Sequence, residues 1–338
     1  MKRKYLLLFL PLLFFLFFFP EESLLASCEG VRLWFHTVLP ALLPFLILSN
    51  ILVRSGLILP LLSHLDPVWN RLLGLTSGGA YCLALGVLCG FPMGARLSAE
   101  LLRQGQISRE EAVYLLCFSN NASPMFLTGF VAAGSLKNPG LTAPLLLIYY
   151  SGLLLTVLIC RIRFRRFHVR SGQRAGSPKR SRAPHAALHS VSYEGRSGTL
   201  KTPKKETPHP LSLGELMDVS VMDGFDVILR LGGYIILFTI YSAMLAKLCA
   251  FAPALHPAAA MLLEITTGTG AVLASGWEPG FQFAFLLFGI AFGGLSTLAQ
   301  TSGMIRGSGL KLGTYFRAKL LQGLLTFAAA YFWLFFVV

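Results

Sequence analysis

The sequence predicts an all-α polytopic integral membrane protein built from two inverted repeats, each holding a broken or re-entrant helical segment. Three observations lead there. First, 54% of the residues are hydrophobic and 13% charged, with a mean hydropathy of +0.65, the balance of a chain that lives in lipid. Second, residues 257–304 form two runs apolar enough to enter a bilayer, yet they carry Glu264, Thr266, Thr267, Thr269, Gln300, Thr301 and Ser302. A carboxylate inside lipid costs about 2.5 kcal/mol or more, so it faces a partner or a wet cavity. Third, most of the net charge of +14 falls in residues 161–210, which hold 13 Lys/Arg against Glu194 and Glu206.

Met1-Lys2-Arg3-Lys4 precedes an apolar run at 5–19. A basic start and an apolar core also describe a signal peptide, and Leu25-Ala26-Ser27-Cys28 resembles a lipoprotein cleavage box. Pro20, Glu21 and Glu22 separate core from box, which favours an uncleaved transmembrane anchor over residues 1–28, its N-terminus cytoplasmic. The first repeat, 29–160, opens with a membrane helix kinked at Pro40 and Pro44. Gly86, Gly90 and Gly94 recur every fourth residue on one helix face, as close helix contact or a helix break requires. Charges from Arg96 to Glu111 are too dense for lipid and read as a short helix-turn-helix reaching water, with Ser108 and Glu111 as a capping box. The apolar pattern then resumes and is interrupted at Ser119-Asn120-Asn121-Ala122-Ser123-Pro124.

Residues 161–210, basic and rich in Ser, Pro and Gly, cannot bury a core and read as a disordered cytoplasmic linker leaning on anionic lipid. Their few aromatics argue against nucleic acid as a partner. The second repeat, 211–338, has an amphipathic entry helix, a span from Gly232, the runs at 257–304, and a last helix with Arg317 and Lys319 near its start.

The halves echo each other. Glu29-Gly30 matches Asp223-Gly224, Gly94-Ala95 matches Gly270-Ala271, and the polar stretch ending at Met125 matches the one ending at Met304, in the same order. With the N-terminus and linker both cytoplasmic, the first repeat must cross an odd number of times, yet it has four candidate segments. One is therefore re-entrant or paired in a hairpin, and the Asn-Asn-Ala-Ser-Pro segment is the expected one. Helix breaks are expected at Gly90, Gly94, Gly268 and Gly270, where hydroxyl residues and glycines let freed backbone line a cavity.

The stretches CGFPMGARLSAELLRQGQIS (89–108), CFSNNASPMFLTG (117–129), LLEITTGTGA (262–271) and GGLSTLAQTSGM (293–304) resemble the sporulation integral membrane protein family of spore-forming bacteria. The resemblance runs over residues 29–333, and its more specific marks are the Gly-Phe-Pro-Met-Gly and Glu-x-Thr-x-Gly patterns. It implies two nucleoside-recognition "Gate" regions, a stage V sporulation role, and transport of dipicolinic acid across the outer forespore membrane. The Gate label speaks of fold kinship with nucleoside transporters.

The expected binding site brings Ser119, Asn120, Asn121 and Ser123 opposite Glu264, Thr266, Thr267, Thr269, Gln300, Thr301 and Ser302. Amide and hydroxyl donors with half-helix N-termini can hold a planar dianion without burying a cation. Arg96 or Arg306 supplies charge or is an interfacial anchor, and Glu264 couples a proton or ion or is a hydrogen-bonded strut; both pairs of readings stay open. The expected partners are a small anionic substrate and the lipid bilayer, with a homo-oligomer left open. No cofactor and no metal site are expected: the six cysteines are scattered, with no CxxC, and HExxH, GxSxG and P-loop patterns are missing, so the chain does not read as an enzyme. The alternatives are a non-transporting scaffold of a sporulation complex and a nucleoside-like solute carrier. Deleting residues 172–201 is expected to leave membrane insertion and uptake within about twofold of wild type, because the segment buries nothing. Abolished uptake by a correctly inserted deletion protein favours the scaffold.

Overall fold

The computed structural model describes residues 2–55, 67, 69–171, 212–248 and 250–337, and among them it has helices and turns but no strand. The expected disordered linker lies outside the described residues from 172 onward. Its first part does not: α8 (Thr142–Ser171) runs on through residues 161–171. No Gly or Pro interrupts the sequence between Gly152 and Gly172, and Arg161 anchors that end by donating to the carbonyls of Arg71 (2.6 Å) and Leu72.

α1 (Lys2–Phe18) meets α2 (Pro20–Leu33) at Phe19, and Pro20 opens α2 at a position where no intrahelical donor is needed. A π-helical turn at Trp34–Val38 joins α2 to α3 (Leu39–Arg54), so residues 20–52 form one rod long and apolar enough to cross a bilayer. The expected boundary at 28/29 therefore falls inside a helix.

α4 (Ser77–Cys89) and α5 (Met93–Arg103) fold back on each other: Cys82 Sγ lies 3.2 Å from Ser98 Oγ, and Gly86 packs against Gly94. Gly90, at φ +81°, turns the chain in a conformation L side chains rarely adopt. The three glycines thus lie on two arms of a hairpin, not on one helix face. The chain therefore reverses at Gly90, ahead of the segment at 119–125 expected to be re-entrant or paired in a hairpin. Residues 117–123 unwind the chain. α6 (Arg109–Leu116) starts beside Gly309, whose carbonyl accepts from Arg109 Nη2 at 3.3 Å, and α7 (Phe126–Ser135, wound as a π-helix) ends where Gly134 meets Thr37.

After α9 (Leu213–Leu248) comes a second hairpin, α10 (His256–Leu263) and α11 (Ile265–Leu273), reversing at Glu264, which has extended backbone at φ −151°, ψ 131°. α12 (Pro279–Phe292) and α13 (Gly294–Met304) are parted at Gly293, with φ +90°, and α14 (Leu312–Val337) closes the chain. Gly94, Gly268 and Gly270 lie inside helices, so of the four expected break glycines only Gly90 is at a break. Gly268 instead lets α11 press on the backbone of Met261.

Among the described residues, five helical stretches are long and apolar enough to cross a membrane: Pro20–Leu52, Pro139–Phe164, Leu213–Leu248, Pro279–Met304 and Leu312–Phe336. Their outward faces carry exposed Leu147, Leu154, Leu158, Phe332 and Phe335, as a lipid-facing surface does. The chain is a multi-pass membrane protein. Glu278 sits just before α12 and accepts from the N–H groups of Gly280 and Phe281, both at 2.7 Å, which hold its carboxyl below the usual carboxylate range. A depressed carboxyl stabilises the fold above its unfolded pKa and loses that contribution as pH falls through the lowered value. Melting of the detergent-solubilised protein should therefore show Glu278→Gln below wild type at neutral pH and level with it in acid.

Candidate functional site

The tips of both hairpins and both breaks come together at one buried chamber of about 60 Å³, walled by Gly90, Phe91, Ser123, Glu264, Thr266 and Gln300 among others. Thr266 also borders a larger cavity of about 750 Å³ lined by Thr37, Ser135, Ser242, His256, Thr267 and Gly270. The tip of α11 is the partition between the two spaces.

Glu264, 2% exposed, builds its side of the chamber by capping the helix that follows it. Its Oε2 accepts from Thr266 N (2.8 Å), Thr267 N (2.9 Å), Thr267 Oγ1 (3.2 Å) and Thr266 Oγ1. An anion at a helix N-terminus satisfies orphan donors and the helix dipole together. All four bonds fall on one oxygen, and among the described residues no donor reaches Oε1.

The opposite wall rests on the unwound stretch between α6 and α7. The carbonyl of Ser119 lodges between Gly86 and Gly94, where a side chain at either position would collide with it. Asn120 Nδ2 donates to Thr301 Oγ1 (3.1 Å) and Tyr315 OH (3.0 Å), and its buried Oδ1 has no partner among the described residues. Asn121 Oδ1 accepts from Gln322 Nε2 (2.9 Å) and Lys319 Nζ (3.3 Å). Ala122 N donates to Tyr149 OH at 3.0 Å, and Ser123 Oγ caps α7 by accepting from Phe126 N at 3.1 Å.

The expected site residues thus divide. Ser123, Glu264, Thr266 and Gln300 border the chamber, with Gln300 Nε2 held to Ser296 Oγ at 3.2 Å. Ser119, Asn120, Asn121 and Thr301 form the buried polar layer behind it. Thr267 faces the larger cavity, Thr269 donates to the carbonyl of Ile265 in its own helix (2.6 Å), and Ser302 is exposed, so the structure does not bring these three to the chamber. Arg306 lies on an exposed turn, and neither it nor Arg96 borders the chamber. Among the described residues the buried basic side chain is Lys319 on α14, which donates to Asn120 O (3.1 Å), Asn121 Oδ1 (3.3 Å) and Gln322 Oε1 (2.7 Å). Sequence reasoning placed it near a helix start; the signal that could have found it is the spacing Tyr315, Lys319, Gln322, one polar face in an apolar helix. Ser296 and Thr297 were also missed, though the Gly293-Gly294 pair before them marks a break.

The chain is 29% identical over 323 residues to the sporulation integral membrane protein YlbJ of Bacillus subtilis (strain 168), an alignment covering 90% of this chain and 76% of that protein. No family model matches the chain, and no solved structure matches it.

Because Gln keeps an acceptor oxygen, Glu264→Gln should retain the α11 cap and wild-type membrane levels. Glu264→Leu removes the cap, should cost about 0.5–2 kcal/mol, and should lower melting and yield. Equal melting of the Leu variant and wild type contradicts the capping role.

Proposed function

We propose that this chain, which its likeness to the Bacillus subtilis protein puts in a sporulation integral membrane protein family, is a carrier of a small organic anion. The anion we name is dipicolinic acid, moved across the outer forespore membrane during sporulation. The observation that carries this reading is the chamber itself. Two hairpin tips and two helix breaks, drawn from both halves, converge on buried polar side chains inside a lipid-exposed bundle. Irregular backbone at membrane depth is tolerated where it lines a cavity or is buried in protein, and inverted-repeat transporters place their sites there.

An inverted repeat is supported by the order of elements. Each half has a long helix, a hairpin, a broken helix and a second long helix. Equivalent helices also meet in equivalent ways: Gly30 on the first rod packs against Ile236 and Thr239 of α9, while Gly224 of α9 packs against Leu43 and Ile47 of the first rod. The two last helices pair likewise, with Gly152 of α8 against Thr326 of α14.

A chamber of about 60 Å³ is far below the roughly 300–1,000 Å³ of ligand sites, so it must widen to take a solute. Moving the tip of α11, the partition at Thr266, joins it to the 750 Å³ cavity and gives a solute one way in. Glu264 opposes an anion while charged. Its Oε2 is committed to the cap and its Oε1 is not, so a proton on Oε1 neutralises the wall without undoing the helix. We therefore read the cycle as entry of the anion with a proton.

The test is uptake of labelled dipicolinate into proteoliposomes, with and without an inward pH gradient. The expected result is accumulation that rises at least fivefold with the gradient in wild type and loses that dependence in Glu264→Gln. Gradient-dependent uptake by the Gln variant at the wild-type level removes Glu264 from the coupling. No uptake of dipicolinate or of a nucleoside by the reconstituted protein favours a scaffold.

A further inference from the structure

Lys319 is the least expected residue in this bundle. It is fully buried, and among the described residues no carboxylate lies within ion-pair distance of it. Its three N–H groups are matched by three acceptors, Asn120 O, Asn121 Oδ1 and Gln322 Oε1, all of them neutral. The ammonium form is thus fully hydrogen-bonded yet has no counter-charge, so an anion brought beside Nζ favours that form. A buried ionisable residue in a membrane protein is retained for a task, and this one has no counter-charge.

The ring of Phe91 borders both Lys319 and the chamber. Nζ stands 5.1 Å from the centroid of Phe91, at cation–π distance, and Phe91 itself walls the chamber while Lys319 does not. The far end of the same ring reaches the α12–α13 break: a Cβ on Gly293 would sit 3.2 Å from Phe91 Cζ. Phe91 belongs to the tip of the first hairpin, next to Gly90 at φ +81°. A shift of that tip therefore withdraws the ring from the ammonium and from the second break at once.

We propose that Lys319 is the anion-recognising group of the carrier, screened from the chamber by the ring of Phe91 until the first hairpin moves. This rests on the carrier reading above and adds a specificity determinant to it. The ligand class is a carboxylate that trades places with one of the three neutral acceptors, Asn121 Oδ1 at 3.3 Å being the longest bond to give up. An anion then meets a desolvated ammonium, while a neutral isostere of the same shape meets only amides.

Two measurements on the detergent-purified full chain test it. In the first, reductive methylation with formaldehyde and cyanoborohydride is read by peptide mass at Lys319, in wild type and in Phe91→Ala. The expected result is at least tenfold more modification in the Ala variant. Equal modification shows that Phe91 does not screen Lys319 and overturns the proposal, whatever the protein carries. In the second, dipicolinate and its neutral isostere pyridine-2,6-dicarboxamide are titrated against wild type and Lys319→Gln by thermal shift. The Gln variant should bind dipicolinate at least tenfold more weakly and the dicarboxamide no differently. Equal dipicolinate affinity in the two proteins overturns the role of Lys319 alone. No dipicolinate binding by wild type overturns the carrier reading, and this role with it.

Discussion

The structure depends on how seven residues of unwound backbone, 117–123, are satisfied without water. Exposed peptide groups at membrane depth cost several kcal/mol each unless the protein supplies partners. Here Ser119 N returns to Leu115 O at 2.8 Å, Asn121 Nδ2 reaches Phe118 O at 2.5 Å, Ala122 N finds Tyr149 OH, and Asn120 O accepts from Lys319. Close approach makes this workable: the hairpin arms press on the Ser119 carbonyl only because Gly86 and Gly94 carry no side chain. A methyl group at either position pushes the hairpin off the break.

The breaks of the second half solve the same problem with local means. Glu264 caps the helix two and three residues on, and Thr297 Oγ1 donates back to Gly293 O at 2.8 Å and Gly294 O at 3.1 Å. The first-half break instead borrows Tyr149, Lys319 and Gln322 from α8 and α14. The two halves are therefore unequal as machines. The hairpin tip at Glu264 and the break at Gly293 keep their backbone bonds when they move as units, whereas residues 117–123 can shift only if α8 and α14 shift with them. The 117–123 break is thus tied to α8 and α14, while the Glu264 tip and the Gly293 break keep their bonds within their own segments.

Fold class was legible because hydropathy reports lipid contact directly, and the apolar runs and the Ser108 cap are local properties of the chain. The direction of a broken segment is not local. Asn120 and Asn121 disrupt a helix in any context, but whether the chain then reverses depends on a residue able to turn it, and that ability lay with Gly90 and not with the asparagines. The break glycines were misjudged for a related reason: a glycine followed by hydroxyls serves equally as a hinge or as a contact surface, and Gly268 is the second because Met261 packs on it. Glu264 could be singled out from its apolar surroundings alone. Lys319 could not, since a lysine five residues after Thr314 reads as an anchor until Asn120 and Asn121, nearly 200 positions away, are seen to hold it.

Two ionisable groups of opposite sign are thus buried near one chamber without being paired. Direct contact would let each neutralise the other and leave a site with no preference in charge. Keeping them apart has a different consequence. Glu264 is held by N–H and O–H donors of α11, and Lys319 by oxygens of the first-half break and α14, so each group is solvated by neutral dipoles of a different part of the fold. Displacing the α11 tip carries the negative charge with it, while displacing the first hairpin uncovers the positive one behind Phe91. On the carrier reading proposed above, the sign of charge that the chamber presents would depend on which hairpin had moved, as loading a charged solute on one side and releasing it on the other requires.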